Sequence, residues 1–483
     1  MSAMHHRSVL VIVGLGIPDL APVHRILSIA SYANMRLGKE RYADHLARFW
    51  PEATQEQAGT PPRTVGELRA TLLRHPHAAR VLVYAARWFP IDEAQARALV
   101  DKACAASVDV VVHTAAGEPV LWCGAVAQLL ARNDAELALH ALREPESVVA
   151  PSGAFADLSD PAHILRLFAS GFSLRAFNHL ARGRAGYFLK SSQQREKMAA
   201  EHAFLSGVPA VLRPFFPQVG DHHATPDGGA YEIEVVPALD VGKHLINETF
   251  AAPSAVARLV ESLAMYWDAR PRVAAGAAEV RAQLTELFVA KTRARLEQAA
   301  GLPVRGKLDM ICGWNGCGSF AEFGRALLAR VEAAIAADRS TSLGFSHGDL
   351  FFSNMVFDPS TGLLKLIDPR GGAPGAPPYR ADWYDLAKLS HSFCGRYDLL
   401  VYDLADLVLA PEMRLSLRHH QFPGLAALEA AFAGFLAARG FALKTVRLYE
   451  ATLFVSMIPL HAESDKRVIC QLCQAIDSFR AAE

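Results

Sequence analysis

Residues 345–372, FSHGDLFFSNMVFDPSTGLLKLIDPRGG, hold Asp349, Asn354 and Asp368 at spacings that could do phosphoryl-transfer chemistry. Moving a phosphoryl group to an alcohol asks little covalent work of a protein. It needs a carboxylate beside the attacking hydroxyl and oxygen ligands that hold Mg²⁺ on the phosphates. Asp349 can supply the first. Asn354, five residues on, and Asp368, at the end of the apolar run Leu363–Ile367, can supply the second. The alternation of that run suits a strand, which would return Asp368 to the other side of the metal. Turn residues placed by chance would require no such spacing.

The flanking sequence shows which elements must position these groups. From residue 8 to about 150, β-rich runs alternate with helical patterns: VLVIV at 9–13, a helix near Ala21–Leu46, RVLVYA at 80–85, a helix at Asp92–Ala106 and VDVVVHT at 108–114. This predicts an α/β domain with a mostly parallel sheet, and Pro51–Arg63 reads as a loop inside it. Ser, Gly, Asp and Pro in PSGAFADLSDPAHILRLF place a boundary near residue 160, giving domains 1–160 and 161–483. A small β-rich lobe follows at about 170–237, with AGYFLKS, a helix from Gln193 to Leu205, and YEIEVVP. Beyond Leu239 nearly everything reads as helical, at Ser254–Tyr266, Ala277–Ala299, Ser319–Ala337 and Gly424–Arg439, interrupted only by 344–378. A β-rich lobe before a helical one is the order of a bilobal α+β, protein-kinase-like domain.

Composition narrows the function classes. A chain of 483 residues has room for two or three folding units. Lys plus Arg balances Asp plus Glu at 49 each, so no net field draws nucleic acid or an anionic membrane, and any basic site must be local. Seven scattered cysteines point to a reducing compartment rather than a disulfide framework. The opening Met1–Arg7 and SVLVIVGLGI could be taken for a signal peptide. The absence of a small-residue cleavage site and the Val/Ile content favour a buried strand instead. No run reaches the roughly 18 apolar residues needed to cross a bilayer. The expectation is a cytoplasmic protein.

His347, Gly348, Asp349, Asn354, Ile367 and Asp368 match the signature H-G-D-x-x-x-x-N followed by a strand ending in Ile-Asp. In this the chain resembles the aminoglycoside phosphotransferase and choline kinase superfamily. The form IDPRG, with YDLAKLSHSFCGRYD at 384–398, is similar to its capsule and surface-polysaccharide branch. The resemblance implies an ATP- and Mg²⁺-dependent kinase acting on a hydroxyl of a sugar, polyol or amino alcohol. His347 would brace the loop, Asp349 act as base, and Asn354 and Asp368 bind Mg²⁺. It further implies Lys190, ending the strand YFLKSS, as the phosphate-binding cation, with Glu201 rather than Glu196 as its partner. Backbone from Glu234 to Val236 would meet the adenine, and ARGRAG at 181–186 would cover the phosphates although it lacks G-x-G-x-x-G. Asp385 matches a loop-bracing position, against a plain reading as a helix N-terminal acid. The segment RGGAPGAPPYRAD is short and poor in Ser and Thr, which argues against a protein kinase.

RVLVYAARWFPIDEAQARALVDKACAASVDVVV resembles part of the sugar nucleotidyltransferases, with Ala85, Ala86 and Arg87 kept. The loop at 14–25 lacks a basic residue until Arg25, and Tyr84 stands where a metal-binding carboxylate belongs. The N-terminal domain is therefore expected to be an inactive binding or assembly module. A non-catalytic nucleotide-binding scaffold and a bifunctional kinase/nucleotidyltransferase are the alternatives. Cys312 and Cys317, with Cys470 and Cys473, allow a four-thiolate zinc site. The x4 spacing and the apolar helical setting of CQLC favour buried thiols.

Overall fold

The computed structural model describes the whole chain except residues 1–8, 14–34, 48–64, 76–77, 132–145, 161–162, 165–166, 168–177, 183, 185, 226–227 and 371–377. It divides into two compact units, 1–171 and 172–483. The helix read near Ala21–Leu46, the 14–25 loop and the Pro51–Arg63 loop fall largely or wholly outside the described residues, where only Tyr42–Ala47 is helical.

In the first unit the β-branched runs form strands as their composition dictates. A five-stranded sheet runs in the order Val9–Val13, Arg80–Tyr84, Pro119–Ala125, Val110–His113, Glu146–Val149. It is mixed rather than mostly parallel. The outer pairings are parallel, and Pro119–Ala125 lies antiparallel to both its neighbours. The cause is a turn at Thr114–Glu118, closed by Thr114 N–H to Glu118 O at 2.8 Å, which folds 119–125 straight back on 110–113. The helix Glu93–Ala105 starts at Asp92, whose carboxylate accepts the Gln95 N–H at 3.0 Å.

The second unit opens with a four-stranded antiparallel sheet in the order Asn178–Arg182, Tyr187–Ser192, Gly228–Glu234, Val219–Thr225. The helix Arg195–Ser206 covers it, burying Met198, Glu201, Phe204 and Leu205. Helices follow at Pro253–Ala269, Phe320–Ala337, Trp383–Phe393, Leu425–Ala437, Leu443–Met457 and Asp465–Ala481. Ser319 and Glu322 form a capping box that fixes the start of one of them. Two features depart from the periodicity. The helix expected over Ala277–Ala299 contains a π segment at Thr285–Ala290. A hairpin, Ala405–Leu409 with Leu415–His419, breaks the all-helical stretch. Its strands are mostly half-buried and only five residues long each.

Candidate active site

The chain leaves the strand Ser342–Phe345, passes through 346–351, makes one 3-10 turn at Phe352–Asn354 and enters the strand Met355–Asp358. Buried Leu350 and Phe352 anchor this loop, and the Phe352 ring meets Phe393 edge-on at 4.7 Å. Gly348 has φ +77°, which strains any residue with a side chain, and a Cβ there would lie 2.9 Å from Arg370 Cβ and 2.1 Å from the flexible end of Arg380.

Asp385, 1% exposed, accepts the backbone N–H of His347 and of Gly348, each at 2.9 Å. Buried Arg270 supplies a counter-charge at 3.9 Å. Asp385 also sits in the first turn of Trp383–Phe393, so both readings of this residue describe it. The His347 ring spans the site. Its Nδ1 accepts the Asp349 N–H at 3.3 Å, and its Nε2 lies 2.9 Å from Ile367 O. These partners select the tautomer with the proton on Nε2. Burial lowers the imidazole pKa against the pull of Asp385 and Asp349, which keeps that neutral form. His347 thereby ties the loop to the residue before Asp368. Asn354 ties it a second time: Nδ2 donates to Asp349 O at 2.8 Å, and its backbone carbonyl accepts from Ile367 N–H at 3.0 Å.

The Asp349 carboxylate faces two cations. Lys388 Nζ lies 2.8 Å from Oδ1, and Arg370 Nε donates to Oδ2 at 3.2 Å. Burial raises the carboxyl pKa, but Lys388 and Arg370 more than offset it, so the group sits well below the usual carboxylate range. Asp349 is therefore ionised, as a proton acceptor must be.

Asp368 has a left-handed backbone, φ +55°, of the sort that costs about 1–3 kcal/mol and gathers at functional sites. One of its oxygens is ion-paired with Lys190 Nζ, which also meets Glu201 Oε1. Glu201 in turn accepts the Tyr231 hydroxyl at 2.5 Å. Lys190 is 3% exposed; burial disfavours its charge, but Asp368 and Glu201 outweigh this and hold it protonated. Lys190 lies inside the strand Tyr187–Ser192 rather than at its end, and Glu196 is exposed away from it. At the lobe junction, Glu234 N–H donates to Gln218 O and Val235 N–H to Gly186 O, at 2.8 and 2.9 Å. Val236 carries no such backbone bond from its N–H among the described residues, while its carbonyl accepts from Ala238 N–H at 2.8 Å. Glu234 Oε2 lies 3.6 Å from Lys365 Nζ. Residues 183 and 185 of the 181–186 loop, and 371–377, lie outside the described residues.

Asn354 Oδ1 and the Asp368 carboxylate are hard oxygen donors. Mg²⁺ commonly takes one or two such protein ligands and completes its shell with water and phosphate, so this donor set fits it. Among the described residues no group of three or more His, Cys, Asp or Glu is placed to hold a metal ion by itself. All seven cysteines are free, and burial pushes the Cys312 thiol up to about 12 and Cys470 to about 11.

Sequence reasoning assigned no role to Arg370, Lys388 or Tyr231. Lys388 could have been found: it follows Asp385 by three residues in WYDLAKL, on the same helix face. In the first unit, Arg87 is locked to Asp157 by paired 2.9 Å bonds. The buried Tyr84 hydroxyl donates to Trp88 O, so the strand end carries a phenol and no carboxylate. The described residues contain no helix long and apolar enough to cross a membrane.

No protein-family model and no curated protein matches the chain. Solved structures similar to it include a thermostable mutant of aminoglycoside phosphotransferase APH(4)-Ia in its apo form, at 9% identity, 63% of this chain, 94% of that one and TM-score 0.37. Aminoglycoside phosphotransferase APH(3'')-Id from Streptomyces rimosus in complex with ADP and streptomycin is 18% identical over 62% and 97%, TM-score 0.32. An aminoglycoside-3'-phosphotransferase of type VIII is 20% identical over 59% and 90%, TM-score 0.31.

Proposed function

We propose that residues 172–483 transfer the γ-phosphoryl group of ATP to the hydroxyl of a small molecule, a sugar, polyol or amino alcohol, in capsule or surface-polysaccharide synthesis. The observation that carries this reading is the meeting of Lys190, from the β-rich lobe, with Asp368, 178 residues away, beside a loop that presents an ionised Asp349. Asp349 would accept the proton of the attacking hydroxyl, and Lys190, oriented by Glu201, would bind phosphate oxygens. Asn354 and Asp368 would hold Mg²⁺, which when bound neutralises charge on the phosphates. Backbone around Val236 would meet the adenine. His347 and Asp385 would keep the loop in place without touching substrate.

The first unit is read as a nucleotidyltransferase-like module without catalysis, for binding or assembly. Tyr84 at the strand end supports this over a bifunctional enzyme. The test is ADP release by the full chain with Mg²⁺ across sugars, polyols, amino alcohols and aminoglycosides, with Asp349→Asn as control. Acceptor-dependent release that vanishes in the control supports the reading. Full activity in Asp349→Asn would overturn it.

A further inference from the structure

A cleft opens beside Asp349, and its charge is one-sided. Its walls carry Lys291, Arg295, Arg370 and Lys388, and among the described residues Asp349 is the single carboxylate lining it. Arg370 and Lys388 are the pair on Asp349. The other two meet neutral groups: Lys291 Nζ bonds the Tyr384 hydroxyl at 3.2 Å, and Arg295 Nη1 bonds Gln298 Oε1 at 2.7 Å. Four cations thus face one anion, a surplus of three positive charges. Tyr384 lies among these charges: burial raises its phenol pKa, but Lys388 and Lys291 outweigh this and lower it.

His391 adds a polar group aimed at no protein partner. It is 1% exposed, lines the same cleft, and neither ring nitrogen has a hydrogen-bond partner among the described residues. Tyr397 stacks on the ring at 4.2 Å and Phe454 meets it at 4.1 Å, fixing its plane. Burial and Lys388 keep it neutral, so it offers one N–H donor and one lone pair. Unpaired buried polar atoms are costly, and a ligand is one way to satisfy them. The π segment Thr285–Ala290 ends immediately before Lys291, a distortion frequent at functional sites.

We propose that the acceptor is an anionic alcohol, a small hydroxyl compound bearing a carboxylate or phosphate group that Lys291 and Arg295 bind while its hydroxyl faces Asp349. This rests on the phosphotransfer reading and narrows it: an ammonium-bearing alcohol would be repelled by the same surplus charge.

The experiment uses the full chain with Mg·ATP and matched acceptors: glycerol, glycerate and glycerol 3-phosphate; glucose, glucosamine, glucuronate and glucose 6-phosphate. ADP release and thermal shift are read in parallel on wild type, Lys291→Met, Arg295→Gln and the charge-keeping Arg295→Lys. The expected result is kcat/KM at least about ten-fold higher for an anionic member than for its neutral or aminated counterpart. Lys291→Met and Arg295→Gln should raise the acceptor KM about ten-fold with the ATP KM unmoved, and Arg295→Lys should restore part of the loss. The carboxylate and phosphate members tell which anion is taken. Preference for neutral or aminated alcohols would overturn the charge assignment and leave the kinase standing. Anions that raise the melting temperature through Lys291 and Arg295 without any ADP release would uphold the cleft and sink phosphotransfer. Absence of any anion-dependent shift or turnover would overturn the proposal.

Discussion

Lys388 Nζ lies 2.8 Å from Asp349 Oδ1, so the group read as the catalytic base is itself held by a cation from the helix Trp383–Phe393. A base buried among cations stays ionised, yet its affinity for a proton is reduced. Asp349→Asn removes proton acceptance and keeps the shape. Turnover should fall by about 10²–10⁴ while Mg·ATP still raises the melting temperature. Single-turnover ADP formation and thermal shift on the same sample check both parts.

The sign of the pH response follows from the same pair. The folded-state pKa of Asp349 is depressed, so its contribution to stability is present above the usual carboxylate range and is lost as pH falls through the folded value. Wild-type kcat/KM should therefore show no acid limb from this group near neutrality. Lys388→Met leaves the burial and removes one counter-charge, so the carboxyl pKa rises and an acid limb moves up in pH. A pH profile of kcat/KM on both proteins decides it; coincident acid limbs would remove Lys388 from this role.

Much of this site was legible because its chemistry is written in consecutive residues. Asp349, Asn354 and Asp368 share one loop and hairpin, and one segment sets their spacing. Glu201 over Glu196 was less direct, since helical phase alone decides which of them turns inward to Lys190. The cleft as a whole was not legible: Lys388 has a local signal in its spacing to Asp385, but Lys291 and Arg295 come from a distant helix, where a site lysine and an exposed one look alike in sequence. The mixed sheet of the first unit was missed for another reason. PVLWCGA was not read as a strand, and a short turn folds it back antiparallel onto 110–113.

Asp385 tests positioning against catalysis. Asp385→Ala leaves the buried N–H groups of His347 and Gly348 unpaired, at about 1–3 kcal/mol each, and leaves Arg270 without one of its carboxylates. The melting temperature should fall and kcat should drop more than the ATP KM rises. Asp385→Asn keeps one acceptor oxygen and should recover part of both. A kcat unchanged in the folded alanine variant would show that the loop holds its shape without this brace.

Gly348→Ala probes the loop from the opposite face. A left-handed alanine costs roughly 1–2 kcal/mol. A second effect is steric: the end of Arg380 can swing away from the new Cβ, but the 2.9 Å approach to Arg370 Cβ forces a shift of Arg370, one of the cations on Asp349. Turnover should fall by more than the stability loss accounts for. Denaturant unfolding and initial rates compared on one preparation check this; a loss of activity that merely tracks the unfolded fraction would contradict it.

Lys190 and Glu201 form a buried pair that Asp368 and Tyr231 extend. Breaking such a pair from one side leaves a charge without its partner, at about 3–5 kcal/mol, whereas removing both charges is often nearly neutral. Lys190→Met should therefore destabilise the chain more than the double variant Lys190→Met/Glu201→Gln, although both lose the cation proposed for the phosphates and both should show a raised ATP KM. Chemical denaturation ranks the stabilities, and ATP titration of the rate reads the binding loss. Equal stability of the single and double variants would mean that water relieves the stranded Glu201. An unchanged ATP KM in the folded double variant would remove Lys190 from the phosphate site altogether.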